Sequence, residues 1–260
     1  MDNTTTENKK RFFQNDRLLV CSLLMIYALC LFGFTGAVYW VMNRGREFTA
    51  GQQANATATA VARATEQSQF EIVEHFDKTS GQWQVGKYEN HRGWDGSLEI
   101  TEGTYVWTID KVQRPFLDEV EFFQSRPVKD FDVYLDTRWT GGTVGNSCSG
   151  LVFRRSFQGW AHGAYVFILC SDSTFNVSYY DVSGWESFSG KRFNDAILPL
   201  VWNQIEVSSR GEIFKFSINH KVVYQLTDDR QAEGALGILV QICDTTPTTF
   251  LFDNFGYQSR

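Results

Sequence analysis

Three tryptophans stand where a flat ring could meet a ligand. Trp94 and Trp160 lie in polar, glycine-containing segments, HRGWDG and FQGWAHG, and Trp185 follows Ser183-Gly184 beside Glu186. Exposed rings of this kind cover the C–H faces of sugars while polar neighbours fix the hydroxyls. The same rings can instead be partly buried against a neighbouring loop. Trp83, Trp107 and Trp202 stand in strand-like contexts and read as core. A second feature is Glu119-Val-Glu121, where the two-residue period of a strand puts both carboxylates on one face.

Other chemistry leaves little trace. His75, His91, His162 and His220 are scattered, with no H-E-x-x-H and no C-x-x-C, so a zinc site would have to be assembled from distant loops. Gly145-Asn-Ser147-Cys-Ser-Gly150 has the wrong spacing for a nucleophile elbow, and no glycine loop is built to cradle phosphate. Carboxylates drawn from separate strands leave no local signature, so the missing motifs lower the expectation of an enzyme without excluding one. Cys148, Cys170 and Cys243 allow one disulfide in an oxidising compartment, and three pairings are open.

The elements that must position these residues follow from composition. Leu18 to Met42 runs 25 residues without a charged side chain, more than the roughly 20 needed to cross a bilayer, and predicts a membrane-spanning helix. Cys21 and Cys30 fall inside it as small apolar residues, and Tyr39 and Trp40 suit its interfacial end. Lys9, Lys10, Arg11 and Arg17 precede the span while only Arg44 and Arg46 follow closely, which places residues 1–17 in the cytoplasm as a disordered tail and the rest outside the cell membrane. Residues 43–69, rich in Ala, Thr and Gln, read as a partly helical stalk. From Phe70 on, 17 Lys and Arg face 25 Asp and Glu, a net −8 with no basic stripe, which argues against nucleic acid as a partner.

Within residues 70–260 the period becomes two. In Lys129 to Trp139, Phe131, Val133, Leu135, Thr137 and Trp139 alternate with Asp130, Asp132, Tyr134, Asp136 and Arg138, a half-buried strand. Similar runs at Ser97–Asp110, Asn203–Val207, Ile213–Ile218 and Val222–Leu226 are separated by turns at Glu102-Gly103, Arg210-Gly211 and Asn219-His220. Gly150–Phe153 and Ala164–Cys170 are apolar on both faces and belong at the centre of a sheet, joined by a loop that carries Trp160 and His162. Phe250, Phe252 and Phe255 are expected to pack both sheet faces. Many short strands at hairpin spacing predict an all-β antiparallel sandwich. Asn55-Ala-Thr57 and Asn176-Val-Ser178 match the N-glycosylation pattern.

The segments SGLVFRR (Ser149–Arg155), AYVFILCSDS (Ala164–Ser173), WNQIEVSSRGEIFKFSINHKVV (Trp202–Val223), GALGILV (Gly234–Val240) and FLFDNFGY (Phe250–Tyr257) resemble the concanavalin A-like lectin/glucanase superfamily. Within it, they are similar to jelly-roll domains of the 3-keto-disaccharide hydrolase-like or laminin G-like kind found in bacterial surface proteins. The resemblance implies a jelly roll and, in its family 16 glycosidases, a catalytic E-x-D-x-x-E strand. Glu119-Val-Glu121-Phe-Phe-Gln124 is the nearest match, but Gln124 stands where the acid/base glutamate is required, and a carboxamide cannot donate and recover that proton. The run then reads as an acidic surface segment beside Pro115. Such jelly rolls often hold a structural calcium ion near the chain ends, for which Asp77, Asp253 and Asn254 are the candidates if the first and last strands pair. The expectation is a membrane-anchored module that binds a glycan or a surface protein through Trp94, Trp160 and Trp185, with a sugar hydrolase and an envelope scaffold as alternatives.

Overall fold

The computed structural model describes residues 70–78, 82–122, 127–244 and 246–260; the expected tail, membrane span and stalk, and with them Cys21 and Cys30, lie outside the described residues. No helix among the described residues is long and apolar enough to cross a membrane. The domain is a β-sandwich. Its strands are β1 (Ile72–Glu74), β2 (Gly86–His91), β3 (Trp94–Thr101), β4 (Thr104–Val112), β5 (Phe116–Glu121), β6 (Phe131–Gly141), β7 (Ser147–Arg155), β8 (Ala164–Cys170), β9 (Thr174–Asp181), β10 (Gly184–Ser187), β11 (Arg192–Phe193), β12 (Asn203–Arg210), β13 (Ile213–Ile218), β14 (Lys221–Thr227), β15 (Ala235–Ile242) and β16 (Thr248–Ser259). A 3-10 turn, Trp160–His162, interrupts the β7–β8 connection.

All the strand pairings are antiparallel. A nine-stranded sheet runs β14-β13-β12-β6-β16-β4-β3-β2, with β1 also paired to β16; a seven-stranded sheet runs β10-β9-β8-β7-β15-β5, with β11 also on β9. The first and last strands therefore meet, Ile72 opposite Tyr257. Strands β7 and β8, apolar on both faces, sit inside the seven-stranded sheet as their composition requires. Gly150 lets them approach: a Cβ there would lie 2.0 Å from the Phe167 carbonyl oxygen. The β13–β14 hairpin turns on Asn219 and His220, both at positive φ (49° and 66°), the conformation a two-residue hairpin loop demands.

The inner faces of both sheets supply one core, including Trp83, Trp107, Phe131, Phe153, Phe167, Phe214, Phe216 and Phe250. Three expectations are corrected. Phe250, Phe252 and Phe255 all face this single core rather than opposite sides, because the pairing of β16 with β6 shifts between Asp253 and Gly256 and restores the phase for Phe255. Trp202 is 37 % exposed rather than buried; it is one residue out of phase with Asn203, Ile205 and Val207, whose side chains point inward. The outer face of β6 is covered as well, with Tyr134 and Asp136 buried, since that strand lies mid-sheet and Tyr134 fills the space left by Gly256.

Candidate functional site

The site is on the outer face of the seven-stranded sheet. Alternation along its strands puts Leu117, Glu119 and Glu121 of β5, Leu239 and Gln241 of β15, Cys148 and Val152 of β7, Val166, Ile168 and Cys170 of β8, and Asn176, Ser178 and Tyr180 of β9 on that face. Seven of these and neighbouring apolar residues form a second cluster apart from the main core, with Leu117 and Trp160 packed against it. These apolar side chains are buried although they stand on the outer side of the sheet, and they form a floor. One hollow of about 200 Å³ is lined by Leu117, Val166, Ile168, Asn176, Ser178, Trp185, Ser187 and Gln241. A second of about 280 Å³ shares Leu117, Trp185 and Gln241 with it and ends at Pro115 and Cys243. Together they make a groove that crosses the sheet beneath Trp185.

One aromatic ring, Trp185, lines both hollows, and two more rings back it. Trp185 is directly opposite Tyr180 across the β9–β10 ladder, ring centroids 4.8 Å apart, and Trp160 reaches the pair from the 3-10 turn, 5.9 Å from Trp185 and 6.0 Å from Tyr180. Trp185 leaves 52 % of its surface open. Strand β10 is short and peripheral, and Arg230 fixes it: the guanidinium donates to Glu186 Oε2 at 2.6 Å, pairs with Asp228 at 2.8 Å and lies over the Tyr179 and Phe188 rings.

At the far side of Trp160 stands a charged knot. The Trp160 indole N–H donates to Glu119 Oε1 at 2.8 Å. Arg155 Nε lies 3.0 Å from the same oxygen, an ion pair by distance but without hydrogen-bond alignment, while Arg155 Nη2 pairs with Glu121. Glu119 Oε2 is buried with no hydrogen-bond partner among the described residues. One guanidinium thus serves two carboxylates. Burial pushes the Glu119 carboxyl up to about 7; Arg155 and the Trp160 hydrogen bond oppose the rise and Glu121 adds to it.

The sequence candidates separate here. Trp160 and Trp185 are brought together at the groove. Trp94 is not: at 1 % exposure it is a core residue on β3, with its indole N–H on Asp118 Oδ2 at 2.9 Å, so it offers no face to a ligand. Asp118 is buried on the inner side of β5 and is also met by Arg92 at 2.6 Å, His91 at 3.3 Å and the Glu119 N–H at 3.0 Å. Cys148 and Cys170, direct partners on β7 and β8, form the disulfide, and Cys243 is free. Asn254 is held between His75 at 2.7 Å and Asp136 at 2.9 Å, and burial first, then Asp136, push the Asp253 carboxyl up. Asp77 lies under the Glu102-Gly103 turn. No group of three or more His, Cys, Asp or Glu among the described residues is placed to hold a metal ion. Gln124 lies outside the described residues.

Sequence reasoning missed Arg155, Tyr180 and Gln241. Tyr180 had a readable signal, because Asn176, Ser178 and Tyr180 alternate with core-facing Phe175, Val177 and Tyr179. The Asn176-Val-Ser178 pattern accordingly falls in a paired strand on the groove floor rather than in a loop.

The sequence matches no protein-family model and no curated protein. The structure does match known folds. It aligns with a Bacillus subtilis protein of unknown function with a galectin-like fold at TM-score 0.54 and 10 % identity, covering 73 % of this chain and 96 % of that one. It aligns with the catalytic domain of an endo-1,3-beta-glucanase (laminarinase) from Thermotoga petrophila at TM-score 0.53 and 9 % identity, covering 74 % and 98 %. With a Bacillus licheniformis beta-glucanase the values are 0.51, 11 %, 73 % and 98 %. At such identities the likeness concerns the fold alone, a two-sheet jelly-roll β-sandwich of the galectin-like kind.

Proposed function

We propose that this chain presents a non-catalytic glycan-binding module outside the cell on a membrane anchor. The observation that carries the reading is the groove itself: Trp185, backed by Tyr180 and Trp160, lines it together with Asn176, Ser178, Ser187 and Gln241. Rings cover sugar C–H faces; amides and hydroxyls serve as both donors and acceptors for sugar hydroxyls. Among the described residues no ionised side chain lines either hollow, which suits a neutral sugar. Two hollows sharing Trp185 suit a chain of at least two sugar units. Support for the anchor is the uncharged run Leu18–Met42 with its preceding basic residues, and the Cys148–Cys170 disulfide fits an oxidising compartment.

The test is a binding screen of the full-length chain against soluble neutral glycans, followed by Trp185→Ala. Stacking by one such ring is worth about 1 to 3 kcal/mol, so the variant should bind roughly 5- to 100-fold more weakly with an unchanged thermal midpoint. Unaltered binding would remove Trp185 from the site.

One observation favours a second reading, a sugar hydrolase. Glu119 and Glu121 share a face, and a carboxyl raised to about 7 beside another carboxylate has the character of a general acid. It ranks second because Arg155 and Trp160 already engage that pair. Release of reducing ends from a neutral polysaccharide, abolished by Glu119→Gln or Glu121→Gln, would move it to first place.

A further inference from the structure

We propose that Glu119 is a proton-operated latch on Trp160: ionised, and held between Arg155 and the indole N–H, it seats the ring at the groove; protonated, it releases the ring and loosens ligand binding. The inference rests on the groove reading for its consequence but not for the latch.

The geometry is that of a single hinge point. Trp160 reaches Trp185, the ring that lines the groove, from a three-residue turn flanked by Gly159 and Gly163, both at positive φ (106° and 118°), and no residue of that turn is buried. What fixes the indole is its N–H on Glu119 Oε1, its contacts with Tyr180 and Trp185, and its packing on the outer apolar cluster; of these only the N–H bond responds to a proton. The groups that face Glu119 are Glu121 on its own strand, Arg155 on β7 and Arg92 in the β2–β3 turn; its partner across the ladder, Leu239 of β15, is apolar. With both carboxylates ionised, one Arg155 charge is divided between two negative groups in a place 90 % removed from solvent, since the Glu119 side chain is 10 % exposed. A proton on Glu119 removes that imbalance, Arg155 goes to Glu121, and Trp160 keeps only a neutral acceptor. A carboxyl pushed up to about 7 makes this exchange at ordinary pH.

The sign follows from reciprocity. The Trp160 hydrogen bond favours the ionised carboxyl, so ionisation favours the seated ring by the same free energy. A charge-assisted hydrogen bond exceeds a neutral one by about 1 kcal/mol, roughly fivefold in an equilibrium. Binding of any ligand that needs the seated ring should therefore be about fivefold tighter at pH 8 than at pH 6.

The experiment needs no ligand. Tryptophan emission of the full-length chain is titrated from pH 5 to 9, alongside Trp160→Phe, Glu119→Gln and Trp94→Phe. A transition centred near pH 7 is expected in the wild type and in Trp94→Phe, with no such transition in Trp160→Phe or Glu119→Gln. Glu119→Gln keeps an acceptor for the indole but cannot titrate, and a thermal midpoint no lower than the wild-type value separates loss of the latch from loss of the fold. A transition that survives in Glu119→Gln or in Trp160→Phe, or no transition in the wild type, overturns the latch. The glycan screen is read separately: a glycan that binds through Trp185 with equal affinity at pH 6 and 8 also overturns the latch and leaves the binding reading standing, whereas a fluorescence transition without any glycan hit does the reverse.

Discussion

Trp94 and Trp160 make the same contact in opposite settings. Each donates its indole N–H to a carboxylate of β5, Trp94 to Asp118 and Trp160 to Glu119, and because those acids are consecutive they face opposite sides of the strand. Asp118 points into the sandwich, is 2 % exposed, and collects Arg92, His91 and a backbone N–H besides the indole. Glu119 points to the outer face, shares the Arg155 guanidinium with Glu121 and has one oxygen without a hydrogen-bond partner among the described residues. The inner acid is a finished structural joint. The outer one is under-satisfied, which a stable core avoids and a site that must respond to a ligand or a proton can use.

The contrast predicts unequal damage. Trp94→Ala removes a fully buried ring and leaves a cavity in the core, so it should cost about 3 to 5 kcal/mol and lower the thermal midpoint by roughly 10 °C in a domain of this size. Trp160→Ala should lower it by only about 1 to 3 °C. Equal losses would mean that Trp160 belongs to the core after all.

The acids should differ in the same way. Asp118→Asn leaves Arg92 without its buried counter-charge and should destabilise by about 2 to 4 kcal/mol in thermal or denaturant unfolding. Glu119→Gln should depend on pH. The folded carboxyl is raised to about 7 from 4.5, so between those values the folded chain keeps a proton that the unfolded chain has lost. Wild-type stability must fall as pH rises through this window, by at most about 3 kcal/mol. Glu119→Gln should lack that fall and gain on the wild type from pH 5 to 8; a constant gap between the two would mean that Glu119 titrates normally.

The sequence carried the sandwich well and the site in part. Periodicity located β8 and β13 at the bounds the structure has, Ala164–Cys170 and Ile213–Ile218, because buried alternating or continuous apolar runs are local signals. It could not tell Trp94 from Trp160, since HRGWDG and FQGWAHG look alike and only the phase of β3 against the core decides between them. It also missed the bulge in β16 that turns Phe255 inward, and the convergence of Arg155 on Glu119 and Glu121, which sequence separates by more than thirty positions and only the β5-β15-β7 order brings together. Trp202 was misread for a related reason: its apolar type suggested core, but one step of register points it to solvent. Trp202→Ser should accordingly change stability by no more than about 0.5 kcal/mol, the smallest effect among these variants.

The most direct test of the groove is calorimetric titration of the full-length chain with the soluble neutral glycan that the screen identifies, comparing wild type, Trp185→Ala and Trp202→Ser. Both replacements remove an exposed tryptophan, one lining the groove and one just before β12 of the other sheet and outside both hollows. The account expects binding to weaken at least about fivefold for Trp185→Ala and to stay at the wild-type value for Trp202→Ser, with both thermal midpoints unchanged. Wild-type affinity in Trp185→Ala, or equal losses in the two variants, would contradict it.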